Sequence, residues 1–187
     1  MAATSANMTR MRCIATQDLT LDPQLVTHAE AMFAVLSDPA IYQYENGPPT
    51  SVVWLRARYA RLETRRSADG QQRWLNWVVR LVHGPGCGEL IGYVQATVSA
   101  DASALIAYEF ASAYWSRGLA SQAVRAMIAE LVLHYQTREL WAVLKRDNHR
   151  SMRLLERLGF ALTANEQHFA HSAEMDEALM HRRVAQP

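Results

Sequence analysis

From residue 103 to residue 145 the chain reads as strand, glycine turn, helix, strand, and this order restricts the possible folds more than any other stretch. Residues 104–110 form a short apolar run of strand type. YWSRGLASQA follows at 114–123: a loop as far as Arg117-Gly118, then small residues that open a helix. Leu119, Ala123, Met127, Leu131 and Tyr135 recur at helical spacing and predict a helix over 118–135. Residues 140–145 supply the next strand. A strand–helix–strand unit of this length makes a right-handed parallel crossover, placed here in the middle of the sheet. The turn also has a chemical reading. Gly118 has no Cβ to keep a ligand off the main chain, and a helix start aims N–H groups at phosphate.

The rest of the chain can be built around that unit. Residues 12–21 are Thr-rich and mildly alternating, as in a first strand or strand pair. Pro23 suits a first helical turn. Leu25, Ala29, Met32, Phe33 and Leu36 then predict a helix over 23–37, which Asp38-Pro39 stops. Gly47-Pro48-Pro49 is a break, and Thr50 or Ser51 can cap a second helix with Val52, Leu55, Tyr59 and Leu62 on one face. Three strands come next, at 74–82, 89–99 and 103–110, and their short connections favour antiparallel hairpins. In 89–99, Ile91, Tyr93, Gln95 and Thr97 share one side, with Val94, Ala96 and Val98 on the other. Residues 160–162 and 178–184 read as a closing hairpin. The expected fold is mixed α/β (α+β): a mostly antiparallel, twisted sheet of about seven strands flanked by about four helices. At 187 residues the chain suits one domain over 9–187, after a loose, small and polar tail at 1–8.

Composition enters as a set of exclusions. Half the residues are apolar, enough for a sizeable core, and no apolar run approaches the ~18 residues of a membrane span. The formal charge of +1 leaves no global footprint for nucleic acid, and no basic stripe or RNA motif is present. The start, MAATSANMTRMR, lacks the apolar segment of a signal peptide. Cys13 and Cys87 are far apart with no CxxC, which fits a reducing cytoplasm and argues against a disulfide scaffold or cysteine zinc site. Neither cysteine has an identifiable His or acidic partner for covalent catalysis. The histidines are scattered. His168-x-x-His171 is their one close pair, with no third ligand by spacing, so no metal is expected.

A second motif gives the glycine turn its meaning. In NHRSMRLLERLGF, at 148–160, Asn148 caps a short helix with Met152, Leu155 and Leu158 on its apolar face, and Gly159 ends it. Leu154 and Phe160 add to the core, while Glu156 and Arg157 suit a solvated face. The element order β-α-α-β-β-β-α-β-α-β-β, with these two motifs in this sequence, resembles the GNAT acetyltransferases. It is most similar to the branch containing the N-acetyltransferases of ribosomal-protein N-termini and, through WLNWVVR at 74–80, to related bacterial members. The resemblance covers residues 9–184.

This resemblance implies acetyl-CoA as cosubstrate, its pyrophosphate held by Arg117, Gly118, Leu119, Ala120 and Ser121. The family pattern is Gln/Arg-x-x-Gly-x-Gly/Ala. Gly118 and Ala120 fill its last two fixed positions, but Trp115 stands where the Gln or Arg would be, so the contacts there must be mainly main-chain. Arg117 can pair with phosphate or remain a solvated surface residue. Asn148 is a good cap and, by resemblance, also lines the pantetheine channel. By resemblance too, backbone N–H groups around Glu109 and Phe110, beside a bulge, would stabilise the thioester oxygen as it gains charge.

The acceptor chemistry needs a base, because an amine like that of lysine has a pKa of about 10. Glu109 is the first candidate. Leu105 and Ala107 lie on its own face, and a carboxylate between apolar neighbours is unusual in a core strand. It reads either as a base whose pKa burial raises or as a strand-end charge facing water. Many relatives place a tyrosine as general acid seven residues after the Asn. Leu155 occupies that place here, which leaves Ser151 as the substitute, with Tyr108 a weaker candidate. Ser151 equally reads as an ordinary polar residue at a helix start.

The acceptor groove is expected between the first two helices and the last hairpin. Glu45, the aromatic residues of 41–51, Trp74 and Trp77 could make it acidic and aromatic, as a cationic amine would require. Trp74 and Trp77 could equally be packing residues, and His181 could reach the groove. The reading is a cytoplasmic acetyl-CoA-dependent N-acetyltransferase, monomeric or a homodimer. Its acceptor would be a small-molecule amine or a peptide N-terminus, with no nucleic-acid or membrane partner. The alternative is a GNAT-shaped module that binds acyl-CoA with little or no turnover.

Overall fold

Alternating apolar residues between 72 and 110 build three long strands, β3 (Gln72–Leu81), β4 (Leu90–Ser99) and β5 (Ser103–Phe110), joined as antiparallel hairpins. The structure is a computed structural model describing residues 11–44, 47–163 and 176–185. The tail expected at 1–8, Glu45 and the His168-x-x-His171 pair lie outside these. Ahead of β3 come β1 (Ile14–Ala15), β2 (Leu19–Pro23), α1 (Ala29–Leu36) and α2 (Val52–Glu63). After β5 come α3 (Leu119–Tyr135), β6 (Glu139–Lys145), α4 (His149–Arg157), β7 (Ala161–Leu162) and β8 (Glu177–Arg183). The strand order is β1-β2-β3-β4-β5-β6-β8-β7, and every pairing is antiparallel except β5 with β6. The described residues thus form an eight-stranded sheet with four α-helices. The strand beyond the expected number arises because 12–21 folds as a pair.

Both faces of the sheet are covered, which is why adjacent residues Trp77 and Val78 are both fully buried. One face carries Leu75, Trp77 and Val79 of β3 and Val94 and Ala96 of β4 against Val124, Met127 and Leu131 of α3. The other carries Val78 against Met32 and Leu36 of α1 and Leu55 and Tyr59 of α2. Ser51 caps α2, its hydroxyl accepting from Trp54 N at 3.1 Å.

Three local expectations are corrected. Pro23 does not start a helix; it ends β2, opposite Trp77. The partner strand β1 pairs only with Thr20 and Leu21, so Pro23 has a sheet neighbour on one side only, where a missing N–H is tolerated. The first helix is accordingly shorter, a 3₁₀ turn at Val26–His28 leading into α1. Ile91 does not share the side of Tyr93. The β3–β4 register slips between Val79 and Arg80, leaving Ile91 as a bulge turned into the core with Val94 and Ala96.

The crossover is parallel, as expected, but short. Only Ser103, Ala104 and Leu105 of β5 pair with Glu139, Leu140 and Trp141 of β6. Beyond Leu105 the two strands part, opening a split in the sheet.

Candidate active site

The split exposes one edge of β5. Ala111 N–H donates to Ile91 O at 3.0 Å. By the alternation of an antiparallel ladder, Glu109 then also directs its main chain at β4, while the main-chain groups of Tyr108 and Phe110 face the split. The Phe110 carbonyl accepts from Trp115 Nε1 at 2.7 Å. The Phe110 N–H, like that of Tyr108, thus faces the split, whereas that of Glu109 faces β4. The expected bulge lies in β4, at Ile91; the β4–β5 pairing beside Glu109 is unbroken. Gly92 makes this close packing possible. A Cβ there would stand 2.2 Å from Glu109 O and 2.9 Å from Phe110 Cα. A lone Gly inside a strand pattern was the sequence signal for it.

The loop from β5 enters α3 at Gly118, which is left-handed with φ 78° and caps the helix. The first helical bond runs from Gln122 N to Gly118 O at 3.0 Å. The N–H groups of Leu119, Ala120 and Ser121 thus have no partner within the helix and collect at its positive end. Leu119 is buried, so its main chain alone is available, while Ala120 lines the cavity in the split. Ser121 is half-buried on the first turn, and Arg117 is exposed with its guanidinium 5.4 Å from the Tyr114 ring centroid.

Trp115 braces the loop through its bond to Phe110. Its ring also carries Arg150, whose guanidinium lies 3.4 Å from the ring centroid. Arg150 lines the split beside Asn148 and Ser151. Sequence reasoning missed this arginine, although its place in the first turn of α4 was the available signal. Asn148 caps α4, its Oδ1 accepting from Ser151 N at 3.2 Å. Tyr108 donates to Ser151 O at 3.4 Å, and burial pushes its hydroxyl pKa up to about 12. Leu155 is buried and closes the floor of the cavity.

A second cavity, of about 440 Å³, lies on the other sheet face under α1 and α2. Tyr93 and Glu109 line both cavities. They are opposed in register on β4 and β5, and the Glu109 carboxylate acts directly on the Tyr93 hydroxyl. Burial pushes the Tyr93 hydroxyl pKa well up, and the Glu109 charge adds to the shift. Tyr42 and Tyr59 are raised as well, burial first, with Glu109 contributing to both. Glu109 thus stands among three tyrosines that remain protonated.

Several expected residues are not brought to this wall. Trp77 is fully buried on the α3 face, its indole donating to Arg12 O at 2.9 Å. Trp74 holds the Arg61 guanidinium 5.9 Å from its ring centroid and lines neither cavity. The large apolar area of Trp77 is used in packing. His181 pairs with Glu139 and stacks on Trp141 at 4.1 Å, away from both cavities. Cys13 does have an acidic partner, Asp22 Oδ1 at 3.4 Å, but burial and that carboxylate raise the thiol pKa, opposite to what a nucleophile needs. No cluster of metal-ligating side chains occurs among the described residues, and no described helix is long and apolar enough to cross a membrane.

Comparison with known proteins bears on this arrangement. A family model described as the acetyltransferase (GNAT) domain matches residues 18–161. Solved structures share the fold. An acetyltransferase (GNAT family) from Bacillus anthracis is 18% identical, with TM-score 0.71 over 92% of this chain and 98% of its own. RimL, a ribosomal L7/L12 alpha-N-protein acetyltransferase solved with coenzyme A, is 16% identical, with TM-score 0.75 over 92% and 98%. The microcin C7 self-immunity acetyltransferase MccE, solved with acetyl-CoA and AMP, is 13% identical, with TM-score 0.72 over 90% and 94%. No curated protein matches the chain. A match over most of the sequence, on the same split sheet and glycine-led helix, places this chain in the GNAT acetyltransferase family.

Proposed function

We propose that the chain moves an acetyl group from acetyl-CoA to a primary amine by direct attack within a ternary complex. One observation carries the reading: Glu109 and Tyr93 form the wall between the split at α3 and the cavity under α1 and α2. A carboxylate in that wall can touch an amine on one side and face a thioester on the other.

In this reading the N–H groups of Gly118–Ser121, the Trp115-braced loop and Arg150 hold the pyrophosphate, and Arg117 supports its charge. Asn148 and Ala120 line the arm that leads to the thioester. Glu109 takes the proton from the amine as its nitrogen bonds to the carbonyl carbon. The Phe110 N–H donates to the carbonyl oxygen as it gains charge. The carbon–sulfur bond then breaks; Ser151, with Tyr108 second in line, passes a proton to the departing thiolate as it takes one from solvent, and Glu109 returns its proton to solvent. Residues 9–187 act as one domain, in the cytoplasm, where Cys13 and Cys87 persist as free thiols.

The test is release of free CoA thiol over a panel of amines and peptide N-termini. Glu109→Gln is expected to lower kcat about 100-fold or more while leaving the KM for acetyl-CoA within about twofold. Wild-type turnover in that variant across pH would remove Glu109 as base. CoA binding without turnover of any acceptor would favour the binding-module alternative.

A further inference from the structure

The cavity under α1 and α2 is aromatic, as a cationic amine would require, but its described lining is not acidic alone. Among the described residues it holds one charge of each sign, Glu109 on its floor and Arg58 of α2 at its side. Around them stand the hydroxyls of Tyr42, Tyr59 and Tyr93. Arg58 and Glu109 are close enough for both to act on the ionisation of all three tyrosines. Both line one cavity of about 440 Å³, in the lower range of ligand pockets, so one small molecule in it can reach both charges.

A second, independent feature points to a ligand. Gln24 lines the same cavity and is 4% exposed; its side-chain Nε2 is buried beside the cavity with no hydrogen-bond partner among the described residues, so a rotation of the amide would bring it to a ligand. A buried amide donor left unpaired is costly unless something else completes it. Its main chain is already committed: Gln24 N donates to Asn76 O at 2.9 Å, and Gln24 O accepts from Arg65. The side chain is thus anchored at its base while its donor end is unused. Guanidinium and amide are both donors, and together they suit an acceptor-only group such as a carboxylate.

We propose that the acceptor is an amine that also carries a carboxylate, an amino acid or a compound shaped like one. Its amino group lies at Glu109 and Tyr93, and its carboxylate lies at Arg58 and Gln24. A single guanidinium and one neutral amide match the single charge and two oxygens of a carboxylate. A dianionic phosphate would leave charge uncompensated beside Glu109. The tyrosine and Trp54 rings face the rest of the molecule. This inference rests on the acetyl-transfer reading for the position of the amine, but it concerns binding and can be measured apart from turnover.

The experiment is calorimetric titration of the full chain, with and without CoA, using matched pairs that differ only in the carboxylate. L-leucine is compared with 3-methylbutylamine, L-phenylalanine with 2-phenylethylamine, and O-phosphoethanolamine serves as the phosphate arm. The carboxylated member is expected to bind at least about tenfold more tightly. That preference is expected to vanish in Arg58→Gln and return in part in Arg58→Lys. Both substitutions are at an exposed position, and the melting temperature checks that the fold is intact. Equal affinities within the pairs, no binding of either member, or tighter binding of O-phosphoethanolamine would overturn the proposal. Selective binding with no acetyl transfer would leave it standing and defeat the catalytic reading.

Discussion

Trp115 braces its loop where the family pattern places a polar side chain. The family pattern has Gln or Arg there, a side chain able to meet an anion. Trp115 cannot, but it donates to Phe110 O at 2.7 Å and offers its ring to Arg150. A side-chain cation thus reaches the loop from α4 instead of from the loop itself. The expectation of mainly main-chain contacts did not anticipate this cation, because sequence spacing does not show which residue of a later helix stacks on an earlier ring. Trp115→Leu removes both contacts. It is expected to weaken CoA binding about tenfold, which corresponds to about 1.4 kcal/mol, as measured by calorimetry. Arg150→Gln should do the same and reduce the salt dependence of that affinity. Unchanged affinity in both variants would return the task to the main chain.

Among the elements, the segment after α1 is tied to the segment after β5. Asp38 Oδ1 accepts from Ala40 N at 3.0 Å, starting the 3₁₀ turn Pro39–Tyr42, and Oδ2 accepts from Ser112 N at 2.7 Å. The turn supplies Ile41 to the split and Tyr42 to the second cavity, so this carboxylate helps set the wall between them. Hydrogen bonds from Ser112 hold its pKa below the ordinary carboxylate value. A lowered folded-state pKa means stability that is fully present above the unfolded value of about 3.9 and lost as pH falls through the folded value. Wild type should therefore exceed Asp38→Asn in urea midpoint at pH 7. That advantage should shrink below about pH 4. A gap that stays constant from pH 7 to pH 3 would remove Asp38 as the titrating tie. Gly92 is the counterpart in the sheet, where the missing Cβ lets β4 and β5 pack tightly at Glu109.

For the molecule as a whole, ligand binding at the split should report on folding. At acetyl-CoA concentrations near 100 times Kd, linkage contributes about 2.7 kcal/mol, which in a domain of this size raises Tm by roughly 5–10 °C. Gly118→Val, which forces a β-branched residue to a left-handed φ, should lose that shift. A full shift in that variant would separate the glycine turn from cosubstrate binding. Element types and their order were legible in the amino-acid sequence because they depend on local periodicity, caps and glycine positions: the helix opening at Gly118, the Asn148 cap, the hairpins of β3–β5. Local patterns could not show how far β5 and β6 stay paired, that Ile91 bulges into the core, or that Trp77 packs while Arg58 and Gln24 face the second cavity. Those depend on register and on which helix covers which face, so they follow from contacts between residues far apart in the chain. The glycine turn and the Asn148 helix beside the split are written in contiguous motifs. The second cavity is assembled from α1, α2, β4 and β5, and exists only once they pack together.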